Sequence, residues 1–167
     1  MSIGLRTLKL AYAMMRAGYL TPKQIDFWSL RRQGLTQAEV SRKIGVTPQT
    51  TNKTFNAIDT KMSRALTDAA QLNRLDIRKI DLRNGFLLGY SPTWRTDVLV
   101  TFSVANGIQI WYKGEGDCSE CTKLDSCRQT LIKESEERGI SLPRDRGKVN
   151  PSHLADNLFK AIMEESA

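Results

Sequence analysis

Leu5, Leu8, Tyr12, Met15 and Tyr19 recur at three- and four-residue spacing while Arg6, Lys9 and Arg16 stand off that stripe, which predicts an amphipathic helix over residues 3–17 with Gly18 as its stop. Three helix starts with one grammar follow. Thr21-Pro22-Lys23-Gln24 supplies a hydroxyl cap, a proline at the first helical position and a Gln three residues on; Thr36-Gln37-Ala38-Glu39 is a second capping box; Thr47-Pro48-Gln49 opens a third helix. With Gly34 and Gly45 as stops, the first two run over about 22–33 and 37–44, and Ala38, Val40 and Ile44 read as core between helices. Phe55, Ile58, Met62, Ala65, Ala69 and Leu72 carry the third helix on, and no Gly or Pro interrupts it before Gly85, so it extends for about 25 residues, roughly 38 Å.

Beyond Leu75 the period falls to two. Ile80 and Leu82 alternate with charged neighbours, and Asn84-Gly85 leads into Phe86 to Tyr90; Asp97 to Val104 is followed by Asn106-Gly107 and by Ile108 to Tyr112. Asn-Gly between alternating runs predicts a hairpin with a type I′ turn, in which both central residues take positive φ. Two hairpins in one four-stranded antiparallel sheet result, separated by a loop at Ser91-Pro92-Thr93. Helical spacing returns over about 126–138, ending at Gly139, then a basic loop through Arg144, Arg146 and Lys148, then a last helix over 152–165 with Leu154, Leu158, Phe159 and Ile162 inward. The fold class is α+β: an N-terminal helix-turn-helix unit with a long third helix, a small antiparallel sheet, and C-terminal helices.

Charge divides the same way. The 167 residues carry a net charge of +7, but residues 1–75 hold 12 Lys and Arg against 4 Asp and Glu, while residues 76–167 hold 13 against 14. Two domains are expected, a basic one over 1–75 that meets a polyanion and a neutral one over 76–167 that regulates it. No apolar run approaches a membrane span, and Arg6, Lys9 and Arg16 break any secretory signal, so a cytoplasmic protein without a membrane partner is expected.

Two short helices joined by Gly45-Val46-Thr47 make a helix-turn-helix, whose second helix enters the DNA major groove. The run from Leu20 to Leu30, then Gly34 to Thr47, then Thr50, Lys53, Ile58, Lys61 and Met62, resembles the LuxR-type and sigma-region-4-type helix-turn-helix, and most of all the archaeal Tfx family of DNA-binding regulators. The resemblance covers residues 20–66 and implies that the exposed face of the third helix reads double-stranded DNA. Thr47, Gln49, Thr50, Asn52, Lys53 and Asn56 stand there; Gln and Asn pair with adenine, Thr meets a thymine methyl, and Lys reaches guanine or phosphate. Arg31, Arg32, Arg42 and Lys43 take the family's phosphate-contact positions. The apolar stripe of the long helix outgrows a trihelical unit; it serves as a homodimer seam that spaces two recognition helices, or packs on the chain's own residues 3–17. Trp94, Phe102, Trp111 and Tyr112 gather aromatic mass in the second half, as core or as a pocket lining.

All three cysteines fall in Cys118-x2-Cys121-x5-Cys127, a spacing that brings two sulfurs to one metal and returns the third at a helix start whose dipole favours thiolate. The motif resembles the three-cysteine arm of iron-sulfur sites in RecB-like nuclease domains, but this chain has no fourth cysteine. A [4Fe-4S] cluster with a non-cysteine ligand, zinc with His153 as fourth ligand, and a metal-free Cys118–Cys121 redox pair are the alternatives. The function expected is a dimeric, sequence-specific transcription regulator that senses redox or metal status. The alternatives are a basal or architectural factor with a structural metal site, and a nucleic-acid-processing enzyme, for which the chain offers one His, no phosphate-binding loop and no nucleophile elbow.

Overall fold

The capping grammar translates directly into helices. In the computed structural model, which describes residues 19–114, 118–143 and 145–164, helices α1 (Pro22–Arg32), α2 (Gln37–Ile44) and α3 (Pro48–Leu72) are followed by strands β1 (Asp76–Asp81), β2 (Phe86–Ser91), β3 (Thr96–Ser103) and β4 (Gly107–Tyr112) and by helices α4 (Leu124–Arg138) and α5 (Pro151–Glu164). Thr21 and Thr36 each form both bonds of a capping box, with Gln24 and Glu39. The expected helix over 3–17, Arg144 and Glu165 lie outside the described residues. None of the helices described is long and apolar enough to cross a membrane.

The four strands pair antiparallel in sequential order, so the two expected hairpins, β1–β2 and β3–β4, join through β2–β3 into one meander. The loop expected at Ser91-Pro92-Thr93 is itself a tight connection, and Arg95 takes a positive φ of 51° to close it. At the two Asn-Gly sites the turn position is as expected and the turn type is not. Gly85 and Gly107 have φ of 66° and 69°, but Asn84 and Asn106 are not in the left-handed region. The connections span residues 82–85 and 104–106, longer than a two-residue type I′ turn, so only the glycine needs positive φ. The asparagines contribute through their side chains instead: Asn84 donates from Nδ2 to Asp81 at 3.0 Å, and Asn106 from Nδ2 to the Thr130 carbonyl at 3.1 Å and to Glu134 at 3.0 Å.

Alternation along the strands sends side chains to two faces, and both are covered. On one face Leu87, Val98, Val100 and Phe102 join Phe27, Trp28, Val40, Ile58, Met62 and Leu66 from the three N-terminal helices. On the other, Phe86 and Leu99 join Leu131 of α4 and Leu154, Leu158 and Ile162 of α5. The molecule is three-layered, helices–sheet–helices, and β3 is buried on both sides from Val98 to Ser103. Two expectations change as a result. The apolar stripe of α3 packs against the chain's own sheet and against α1 and α2, and its last member, Leu72, is 84% exposed; residues 3–17, the other expected cover, lie outside the described residues. One core also runs across residue 75, so the boundary in charge is not a boundary in packing.

Polar contacts tie the layers further. Arg138 and Glu134 form a fully buried ion pair at 2.9 Å, and Arg138 also donates to the carbonyls of Asn84 and Phe102 at 2.7 and 3.1 Å. Next to it, the Glu137 carboxylate accepts from the backbone N–H groups of Val104 and Ala105, both at 2.9 Å, and pairs with Arg32 of α1 at 3.4 Å. The last turn of α4 therefore holds both glycine turns of the sheet and the first helix of the N-terminal unit. A buried pair of this kind is held by its additional hydrogen bonds more than by its Coulomb attraction.

Candidate nucleic-acid interface

The geometry between α2 and α3 follows from a few local choices. Gly45 caps α2 at φ 78°, and its N–H and that of Val46 both donate to the Ser41 carbonyl, at 2.9 and 3.0 Å. Two residues later the Thr47 hydroxyl accepts from the Thr50 N–H at 3.2 Å and starts α3. The two helices are then pinned by a buried contact of 2.7 Å between the Ser41 and Thr51 hydroxyls. Either hydroxyl can donate in this contact, since each also has a carbonyl one turn back as an acceptor, Gln37 for Ser41 at 2.8 Å and Thr47 for Thr51 at 3.4 Å. Gln37 adds a bond from Nε2 to the Pro48 carbonyl at 3.0 Å, and Val40 is fully buried beneath. Phe27 meets Phe55 edge-on at 6.3 Å, fixing α1 on the other side.

What this frame leaves outward is one face of α3. Thr47, Gln49, Thr50, Asn52, Lys53 and Asn56 are all exposed. The two threonines are occupied with each other, 2.9 Å apart at the cap. Residues 49, 52, 53 and 56 lie three or four apart, so they share one side of the helix. None of those four side chains hydrogen-bonds elsewhere among the described residues. Arg42 and Lys43 are exposed on α2 beside this face. Glu39, also on α2, is held below the usual carboxylate range by the Thr36 backbone N–H and hydroxyl, with a smaller contribution from Arg42, so it is an anion at neutral pH.

Arg31 and Arg32, expected at phosphates, are turned inward. Arg31 bonds Asp59 of α3 at 2.8 Å and stacks over Phe55; Arg32 pairs with Glu137 and lies over Trp28. Both guanidiniums serve the packing of α1. In their place the fold brings up Lys23, which sequence reading passed over: with Thr21, Gln24, Thr50, Lys53, Thr54 and Ala57 it lines a groove of about 300 Å³ between the start of α1 and α3. Lys61 reaches Gln24 across it at 3.0 Å. Ala38, expected in the core, is exposed.

The cysteine segment is a turn leading into α4. The Cys121 N–H donates to the Cys118 carbonyl at 3.3 Å, and Cys127 enters the first turn of the helix, where it packs against the outer core. Burial pushes the Cys127 thiol above its ordinary value, and the nearby Cys118 and Cys121 add to the rise, the opposite direction to the thiolate expected at a helix start. Among the described residues, no group of three or more His, Cys, Asp and Glu side chains stands together in a way that could hold a metal ion, and His153 is exposed at the start of α5. No family model, curated protein or solved structure matches the chain.

Proposed function

We propose that the chain is a sequence-specific DNA-binding regulator that inserts α3 into the major groove, as the resemblance to the archaeal Tfx family implies. The observation that carries this reading is the outward face of α3. Gln49, Asn52, Lys53 and Asn56 project together from a helix whose angle to α2 is fixed by the Ser41–Thr51 contact, and none of the four side chains hydrogen-bonds to another among the described residues. Amides of this kind read adenine bidentately, and a lysine reads guanine or neutralises a phosphate. Lys23, Arg42 and Lys43 flank the face and supply contacts to the DNA backbone, which set register and not sequence.

The apolar stripe of α3 is occupied within the chain, and one copy meets one half-site of the DNA. Selection from a pool of random duplexes with the purified protein tests it. A shared motif of a few base pairs among the bound duplexes is the expected result. Recovery of duplexes without any shared motif would overturn sequence-specific reading.

A further inference from the structure

A second cavity lies on the far side of the sheet, away from α1–α3. It encloses about 570 Å³ between the outer face of β2–β4 and helix α5, within the range of small-molecule sites. Its walls are Leu88, Leu99, Trp111, Phe159 and Met163. Trp111 and Phe159 stand 5.6 Å apart with their planes inclined at 54°, and the indole N–H is already satisfied by the Thr101 hydroxyl at 3.1 Å, so the ring offers the cavity its apolar surface only. Met163 is 44% exposed at the mouth.

The rim carries charge of both signs. Arg78 and Asp97 are paired with each other at 2.7 Å. That leaves Lys113, Lys160 and Asp156. Lys160 reaches Glu164 on its own helix only at 4.0 Å, with both side chains largely exposed. Lys113 has no carboxylate within ion-pair distance among the described residues; its backbone is held instead, by its N–H to the Asp97 carbonyl at 2.9 Å and its carbonyl to the Thr96 hydroxyl at 2.6 Å. An apolar floor under a rim whose two ammonium groups, Lys113 and Lys160, outnumber the one remaining carboxylate, Asp156, complements a molecule with an apolar body and one anionic head.

We infer that this cavity binds a small apolar carboxylic acid, its hydrocarbon part against Trp111, Phe159 and Met163 and its carboxylate toward Lys113 and Lys160. The inference rests on the sheet and α5 and is independent of DNA binding. Decanoate and 2-naphthoate are the probes, with decan-1-ol as the headless control, followed by calorimetry and by the indole N–H resonances of the full chain. Saturable binding of either acid that shifts the Trp111 resonance and leaves that of Trp28 in place is the expected result. Replacing Lys113 with Ala removes an exposed charge pair and weakens the acids about threefold without changing the alcohol. Met163→Trp fills the mouth and abolishes binding of all three, with the thermal midpoint as the check on folding. No saturable binding, or binding that Met163→Trp leaves intact in a folded protein, overturns the site. Equal affinity for decanoate and decan-1-ol, insensitive to Lys113→Ala, overturns the carboxylate.

Discussion

Gly85 shows how tightly single positions constrain this fold. It sits at φ 66°, and a methyl group there would stand 2.6 Å from Trp28 Cζ2 and 3.2 Å from the Phe102 carbonyl. The first number rules out an ordinary contact, and Trp28 is fully buried and cannot swing away. Gly85→Ala should therefore lower stability by about 2–3 kcal/mol, combining positive-φ strain with overpacking. Urea unfolding measures it, and a loss near zero would mean that Trp28 is not wedged under the turn. Cys127 gives a second test at this scale. With its thiol raised by burial, it stays protonated at neutral pH and reacts slowly; its alkylation should speed up only at a pH above that of an ordinary thiol, after the exposed Cys121 has been consumed. Mass spectrometry of a timed iodoacetamide reaction gives the order, and Cys127 labelling first would contradict it.

At the scale of elements, the helix starts were legible because their signals are local. Thr21, Thr36 and Thr47 each cap a helix within three residues of themselves, and the observed starts at Pro22, Gln37 and Pro48 follow. The stripe on α3 was legible as a buried face, but periodicity does not say what buries it. Phe55, Ile58 and Met62 suited a second copy as well as a sheet, and only the return of β2 and β3 over the helix decides between them. The same limit applies to Arg31 and Arg32, whose acidic partners Asp59 and Glu137 lie far along the sequence. At the Asn-Gly turns the dipeptide gave the position, while loop length, set by the register of the strands, chose the turn. Met62 tests the revised assignment of α3. Met62→Ala should cost about 2–5 kcal/mol of folding stability, independent of protein concentration, since it opens an intrachain core. A midpoint that rises with protein concentration would restore the interchain seam.

For the whole molecule, the basic helices α1–α3 form one layer over the sheet rather than a separately packed unit. The basic helices share their core with the sheet, and Arg32–Glu137 and Arg138 fasten α4 to them through the glycine turns. Unfolding should accordingly be a single cooperative transition: helical circular dichroism and tryptophan fluorescence should give one midpoint, and two separated midpoints would mean independent domains after all. The proposed reading helix and the proposed ligand cavity lie on opposite faces of one sheet. The central claim remains the outward face of α3. Its most direct test is fluorescence anisotropy with a selected duplex, comparing the unaltered chain with Gln49→Ala and Lys53→Ala at two salt concentrations. Gln49→Ala should weaken the selected duplex by about 1–3 kcal/mol and leave an unrelated duplex unaffected, while Lys53→Ala should weaken binding and, if it meets a phosphate, reduce the salt slope by about one. Unchanged affinity for the selected duplex in both variants would contradict the assignment of α3 as the reading helix.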